Sequence, residues 1–411
     1  MKKVKTCRSC GSGELLPFLS LGHLPIPEVL ALDRLDMQET RLPIELGFCK
    51  RCLMVQLLGE SAHDPTRLHG RLQPLGLPTE PHRGKKAPPE DRWVGLQPGA
   101  QVLCLQSIPL EDLLRLRQAG IGVLYIESVP ELARQAQARG IPTRAEIFDR
   151  ASLERLQREG FQADVIWLGE ALAHAADLNS YLEGLTSLLG ERGTLVLELP
   201  NLREWLGRRQ FNCFSQRQLH YFSAQALQNL LRRHGFWLND LQTRPDRALL
   251  AYASRTRFAE PLPHLDEEQR LGLANPVYYQ EFASAVASVR EALLVLLTEL
   301  RARGRRIAAY GAGEPGSLML NFVGLGREIV EFVIDNDPAR QGRYVPGVRI
   351  PIYAPGRLLE ERPEYLLVLS GSHSPLEDSE FVARGGKLIV PLPYPEILNP
   401  SAKTPRLQVG T

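Results

Sequence analysis

The chain is 411 residues long, with a formal net charge of +2 and 44% hydrophobic residues. A chain of this length divides into about two to four domains, each able to bury its own core. So even a charge balance favours neither a nucleic-acid nor a membrane partner. No apolar run approaches the roughly 18 residues of a spanning helix, and the opening MKKVKTCRSC lacks the apolar core of a signal peptide. The six cysteines comprise two CxxC pairs and two isolated residues. They are not a secreted disulfide framework, and a reducing cytoplasm is expected.

The two pairs are Cys7-Arg8-Ser9-Cys10 and Cys49-Lys50-Arg51-Cys52. Each places two thiolates on one tight turn, and two such turns make a tetrahedral sulfur cage suited to zinc. Four thiolates leave the metal no open position, so its expected role is structural. The long separation of the pairs predicts a small subdomain between them. From 59 to 91 prolines and glycines recur without helical or strand period, which predicts a linker or cover. Residues 1–75 are read as the zinc-binding domain with its lid.

Residues 76–255 read as an α/β domain. Positions 102–105 form an apolar strand, Leu113, Leu114 and Leu116 mark a helix after a turn at Pro109, and 123–126 form a strand ending in Glu127. An acid at a strand end, about 20 residues beyond the first βα loop, is the layout of a nucleotide-binding unit. The loop itself should be glycine-rich, so that backbone and a helix N-terminus can approach the ligand. Here it is Gln106-Ser107-Ile108-Pro109-Leu110, without a glycine. Helices are predicted over 132–139, 151–159 and 178–189, and strands over 163–168 and 194–199. This alternation, with nearly continuous apolar strands, argues a parallel sheet covered on both faces. Ligands on such sheets sit beyond the carboxyl ends of the strands, which makes Gln106, Glu127, Gly169 and Glu170 candidate cofactor contacts, with Pro200 and Asn201 beside them.

Residues 256–303 read as a connector and a long helix. Phe282, Val286, Val289, Leu293, Leu296 or Leu297, and Leu300 recur at helical spacing, predicting one bridging helix over 277–303. In 304–411, RIAAYGAGEPG is a strand followed by a glycine turn that keeps Gly311, Gly313 and Gly316, and a strand over 329–334 ends at Asp335. This is a second nucleotide-type βαβ unit. Arg343 is its best phosphate-binding candidate, because guanidinium pairs bidentately with phosphate oxygens. Strands over 365–369 and 387–390 complete the reading.

The knuckles, the central ADVIWLGEALAHAADLNSYLEGLTSLLGERGTLVLELPNL, and YGAGEPGSLMLNFVGLG with IDNDPARQGRYVPGVRIPI resemble one family over nearly the whole chain. It is the S-adenosylmethionine-dependent C-methyltransferases of nucleotide deoxysugars. The resemblance implies an α/β chain with a small N-terminal zinc-binding domain, a class I methyltransferase-like parallel-sheet domain and a C-terminal Rossmann-like domain. It also implies deprotonation beside a 4-keto group of a nucleotide sugar and attack of the carbanion on the sulfonium methyl. That chemistry needs a cofactor loop, a base and stabilisation of the enolate oxygen. Glu127 matches the acid for the ribose hydroxyls, and Gly311, Gly313, Asp335 and Arg343 fall where a nucleotide-sugar ligand is expected.

Four parts depart from that pattern. Cys104, Gln106, Ile108, Pro109 and Leu110 replace the first-strand acid and its glycine loop. RRQFNCFSQRQLHYFSAQAL keeps Phe211, Leu219, Tyr221, Phe222 and Ser223, but Ser215, Gln216, Arg217 and Gln218 replace a Tyr-His-Glu-His block. Gln218, at the expected base position, cannot accept a proton near neutral pH, so His220 and Tyr221 remain as catalytic candidates. The lid tyrosines read as Leu72 and Pro74, and a glycine pair reads as Asp246 and Arg247. With strands and knuckles intact, these changes predict that methyl transfer is lost or much reduced. The body would persist as a binding or scaffold protein in a sugar or natural-product pathway, with zinc retained and S-adenosylmethionine not assured. The alternatives are a diverged, active C-methyltransferase and a different chemistry in the same cleft.

Overall fold

The computed structural model describes residues 4–59, 96–105, 108–244, 248–258, 261–369, 374–377 and 379–399. The N-terminal part is an antiparallel meander of β1 (Leu15–Pro25), β2 (Arg41–Cys49) and β3 (Val55–Leu57). The CxxC pairs lie at one end of it, just before β1 and at the β2–β3 turn.

The central part begins with β4 (Gln101–Leu105), α1 (Leu110–Gln118), β5 (Gly122–Glu127), α2 (Pro130–Ala138), β6 (Thr143–Ala145), α3 (Arg150–Arg158) and β7 (Ala163–Leu168). It continues with α4 (Ala171–His174), α5 (Leu178–Leu188), β8 (Leu189–Leu199), α6 (Leu202–Gly207), β9 (His220–Tyr221), α7 (Ala224–Arg233), β10 (Trp237–Thr243) and β11 (Leu249–Ser254). Seven of these strands form one sheet in the order β10-β11-β8-β7-β4-β5-β6. The strands β4 to β8 run parallel, and β11 lies antiparallel between β8 and β10. This is the class I methyltransferase-like sheet. Alternate residues of β4 enter different cores: Val102 and Cys104 pack with Leu113, Tyr125 and Trp167, whereas Leu103 and Leu105 pack with Ile126, Ile166 and Leu197. A period of two feeding two apolar layers is what a sheet covered on both faces requires.

Two details differ from the sequence reading. The strand expected from 194 begins at Leu189, because Ala163 pairs with Leu189 and Val165 with Thr194, so that 190–193 bulges from the ladder. The strand β9, which the sequence did not signal, leaves the central domain and pairs with β3 as the fourth strand of the N-terminal sheet, Val55 facing Tyr221 and Gln56 facing His220.

Next come α8 (Pro263–Leu271) and the long α9 (Pro276–Ala302). Pro276 opens α9, and Asn275 Oδ1 accepts from Val277 N–H (3.0 Å) as its cap. Its buried stripe is Tyr279, Phe282, Val286, Val289, Leu293, Leu297 and Leu300. Tyr279 stacks on Phe48 at 4.3 Å and meets Phe18 at 5.1 Å, so the helix packs on the N-terminal sheet.

The C-terminal part holds β12 (Ile307–Tyr310), α10 (Glu314–Val323), β13 (Val333–Ile334), β14 (Ile352–Tyr353), α11 (Arg357–Glu361) and β15 (Tyr365–Val368). It ends with α12 (Ser374–Glu377), α13 (Glu380–Ala383), β16 (Lys387–Val390) and β17 (Glu396–Leu398). The sheet order is β14-β13-β12-β15-β16-β17, parallel except for the last strand. This is the expected Rossmann-like unit. Its second strand is confined to Val333–Ile334 instead of running from 329. No helix among the described residues is long and apolar enough to cross a membrane.

Candidate functional site

Two turns with one hydrogen-bond pattern build the cysteine cluster. Cys7 N–H donates to Ser12 O and Gly11 N–H to Cys7 O, both at 2.8 Å. Cys49 N–H donates to Met54 O (2.9 Å) and Leu53 N–H to Cys49 O (2.8 Å). Each turn needs a left-handed residue after its second cysteine, supplied by Gly11 (φ 72°) and by Leu53 (φ 64°), which lacks glycine's freedom. All four Sγ atoms lie within 4.8 Å of one another, with Cys7–Cys52 and Cys10–Cys49 at 3.6 Å. Metal–sulfur arms of about 2.3 Å give tetrahedral edges of about 3.8 Å, so the cluster has the dimensions of a zinc site. Without a cation, burial pushes the Cys49 thiol up to about 11, and the hydrogen bond that the Cys52 thiol shares with Cys7, together with burial, raises Cys52. A bound cation would reverse that balance by stabilising the thiolates. The donor set therefore fits zinc, held by Cys7, Cys10, Cys49 and Cys52 with no ligand position left for chemistry.

The knuckles rest on the central domain. Asn229 Nδ2 donates to Cys52 O (3.3 Å), Arg233 Nη2 to Ser9 O (3.1 Å) and Asn179 Nδ2 to Arg8 O (3.3 Å). Asp177, not Asn179, caps α5, through Ser180 N–H (3.1 Å).

At the carboxyl end of the central sheet, Gln106 lies outside the described residues, as do Leu72, Pro74, Asp246 and Arg247. Glu127 is 2% exposed. Its Oε2 accepts from Tyr125 O–H (2.5 Å) and its Oε1 from Val129 N–H (2.9 Å). Burial, and then the Glu127 charge, push the Tyr125 phenol well above its usual range, so it stays a donor. Ile108 is buried in the same core as Tyr125. Both carboxylate oxygens of Glu127 are thus engaged by groups of its own strand and the turn that follows. Gly169 N–H donates to Leu105 O (3.1 Å), and Glu170 O accepts from Ala173 N–H (2.9 Å) at the start of α4. These two stay beside the end of β4, on the side the sequence indicated.

The segment 211–222 crosses from the central domain toward both neighbours. Gln218 is 6% exposed and donates its amide to His220 O (2.9 Å). His220 is 0% exposed and its Nε2 donates to Ala175 O (3.0 Å), which fixes the tautomer. Its Nδ1 is buried without a partner, and burial lowers its pKa to about 4. Tyr221 O–H donates to Ser215 O (3.1 Å) while its oxygen accepts from Ser215 N–H (3.0 Å), closing the loop 215–221. Burial raises this phenol far above its usual value. His220 and Tyr221 therefore brace the loop from inside. Gln216 Nε2 donates to Leu24 O (2.8 Å) and Leu42 O (3.1 Å), joining the loop to the N-terminal sheet.

Toward the C-terminal domain, Ser215 Oγ donates to Glu314 and Asn212 Nδ2 donates to Leu369 O (3.1 Å). Phe211 meets Phe322 at 5.0 Å, and the Arg209 guanidinium lies 3.9 Å over the Tyr394 ring. Leu24, Ile44, Gln216, Glu314, Ser317 and Asn321 help enclose a void of about 10 Å³ at the meeting of the three parts, room for a single water.

In the glycine turn, Gly311 has φ 95°, and a Cβ on Gly316 would lie 2.0 Å from Gly311 O. Only glycine permits that approach of helix to strand. Asp335 accepts from Ala312 N–H (2.7 Å), Asp337 N–H (2.9 Å) and Arg340 Nη1 (3.0 and 3.2 Å). The Arg340 guanidinium lies 3.7 Å from where a Gly313 Cβ would stand. The structure thus places Arg340 over the glycine turn, a cation the sequence reading passed over; its fifth-residue spacing from Asp335 was the available signal. Arg343 is half-buried in the following loop and forms no ion pair with a described residue.

Comparison with known proteins agrees with this arrangement. Residues 252–393 match a family model described as C-methyltransferase C-terminal domain, and residues 7–64 match one described as "Putative zinc binding domain". C-methyltransferase NovU of Streptomyces niveus is 29% identical over 416 residues, covering 97% of this chain and 98% of that protein. Among solved structures, a TehB-like SAM-dependent methyltransferase from Corynebacterium glutamicum is 18% identical with a TM-score of 0.32, covering 42% of this chain and 90% of that one. The 1,6-didemethyltoxoflavin-N1-methyltransferase of Burkholderia thailandensis is 22% identical with a TM-score of 0.28, covering 38% and 72%. The strand order itself defines the fold. With a match to a putative zinc-binding domain in front, a methyltransferase-like sheet in the middle and a match to a C-methyltransferase C-terminal domain behind, the chain is similar to C-methyltransferases over nearly its whole length.

Proposed function

We propose that this chain is a sugar C-methyltransferase-like protein that has lost methyl transfer, or keeps very little of it, and serves as a binding or scaffold protein in a sugar or natural-product pathway. The observation that carries the reading is the state of Gln218 and His220. An amide stands where the base is expected, and it is spent on a backbone carbonyl. The imidazole of His220, two residues on, is fully buried, with burial lowering its pKa to about 4. General base catalysis contributes typically 10²–10⁴ in rate, and neither group is placed to provide it. The saturated, buried Glu127 supports the same reading from the cofactor side.

A nucleotide-sugar ligand suits the C-terminal glycine turn, where Gly311 and Gly313 would let backbone approach it and Arg343, which forms no ion pair with a described residue, would supply positive charge for a diphosphate. The zinc cage would hold the N-terminal sheet and, through β9, the loop 215–221. Calorimetric titration with S-adenosylmethionine, beside S-adenosylhomocysteine, tests the proposal. The expected result is no saturable binding at micromolar concentration, with zinc present by metal analysis. Micromolar binding together with methylation of a nucleotide 4-keto sugar would restore the reading as an active C-methyltransferase.

A further inference from the structure

Arg217 carries a cationic side chain into the loop 215–221. It stands between Gln216 and Gln218, with its backbone clamped on both sides: Arg217 N–H donates to Ser215 Oγ (3.0 Å), and His174 Nδ1 donates to Arg217 O (2.9 Å). Its guanidinium is not clamped. Nε and Nη2 are both buried and have no hydrogen-bond partner among the described residues, and no described acid pairs with the group. Glu314, the acid reached by this loop, is engaged by Ser215 instead.

Nε and Nη2 form one edge of the guanidinium, with two parallel N–H donors in the geometry that matches a carboxylate or a phosphoryl group. A buried charged donor left unpaired is costly, so an empty edge of this kind is unusual unless a ligand fills it. A second orphaned donor lies nearby in the fold. Asn201, 1% exposed at the carboxyl end of β8, has Nδ2 buried without a partner. The end of β8 is joined to the Arg217 loop by Leu202 N–H donating to Phe222 O (3.0 Å). Both surplus groups are donors, and both belong to the end of the sheet where α/β ligands bind.

We infer that the Arg217 edge is an oxyanion-binding subsite, which takes the carboxylate or phosphoryl oxygens of an acidic ligand. The assignment rests on the reading of this chain as a ligand-binding descendant. It adds a chemical class, because a neutral sugar ring can accept from the N–H groups but supplies no charge to balance the buried guanidinium, whereas a carboxylate or phosphoryl group does both. The clamped backbone holds the fork in place before the ligand arrives, which lowers the ordering cost of binding.

The test is calorimetry on the full, zinc-loaded chain with two probes, UDP-glucuronate and UDP-glucose, which differ only at C6, a carboxylate in the first and a hydroxymethyl group in the second. If the subsite takes the carboxylate, the wild type binds UDP-glucuronate about 10- to 100-fold more tightly, and Arg217→Gln removes the preference. If it takes the diphosphate, the two probes bind alike and Arg217→Gln weakens both by a similar factor. Arg217→Lys, which keeps the charge but loses the fork, falls between. Failure of the wild type to bind either probe, or equal binding by wild type and Arg217→Gln, overturns the assignment. Chemical denaturation gives a separate readout. Removing an unpaired buried cation leaves stability unchanged or raises it, whereas a clear loss of stability in Arg217→Gln marks a structural residue and also overturns the assignment. S-adenosylmethionine is absent from these titrations, so their failure is distinct from failure of the lost-methylation reading.

Discussion

Protonating His220 should cost folding free energy, and the amount follows from its surroundings. Nε2 must carry hydrogen because Ala175 O can only accept (3.0 Å), and a second proton on the partnerless Nδ1 would put a charge in the core. Burial lowers the folded-state pKa to about 4, against about 6.5 for an unfolded imidazole. Between those values the unfolded chain binds a proton that the folded chain refuses. Stability is therefore whole above about pH 6.5 and falls as pH drops toward 4. At about 1.4 kcal/mol per unit, the loss reaches ~2 kcal/mol at pH 5 and ~3 kcal/mol near pH 4. Urea unfolding of wild type and His220→Gln, at about pH 7.5 and about pH 5 in excess zinc, isolates the term, since both share every other titrating group. The wild type should lose about 2 kcal/mol more than the variant between the two conditions. The histidine Cε1–H resonance, followed by NMR, reports the midpoint directly. A midpoint near 6.5, or equal pH dependence in the two proteins, would refute the reasoning and return His220 to candidacy as a proton acceptor.

Cys52→Ser removes one corner of the sulfur cage; metal analysis should fall from one zinc per chain toward none, with a large drop in melting temperature, because such sites contribute on the order of 10 kcal/mol to folding. Gly316→Ala drives a Cβ to 2.0 Å from Gly311 O, whereas Gly207 has nothing within 4 Å. The first substitution should destabilise by about 3 kcal/mol in denaturant unfolding and Gly207→Ala by much less. Glu268→Ala strips two buried acceptors from the start of α7, where Ala224 N–H (2.7 Å) and Gln225 N–H (2.9 Å) now donate to its carboxylate. A loss of about 2–5 kcal/mol is expected, with Glu268→Gln milder because it keeps one acceptor oxygen.

Much of the architecture was legible because it rests on patterns with a fixed period. The doubled CxxC placed the cluster, the apolar runs placed the strands β4, β5 and β7, and the stripe from Phe282 to Leu300 marked α9, with the structure choosing Leu297 over Leu296. The antiparallel strands β10 and β11 escaped notice, since WLNDLQT and LLAYAS carry no turn signal as clear as a glycine pair. The site was harder. The loss of glycine from 106–110 and of acid and base from 215–218 could be read off, but what the replacements do could not. That Ser215 reaches Glu314 some 99 positions away, or that Gln216 donates to carbonyls of β1 and β2, depends on tertiary neighbours that no local pattern encodes. The same holds for His220, where a two-residue strand decides which way the ring faces.

That two-residue strand has a consequence for how such chains can change over time. Val55 and Gln56 pair with Tyr221 and His220 across more than a hundred and sixty positions, so the borders between parts are not clean joints. Exchange of a front or middle segment between relatives would bring together edges that never evolved against each other. A working chimera would have to carry 55–57 and 220–221 from the same parent.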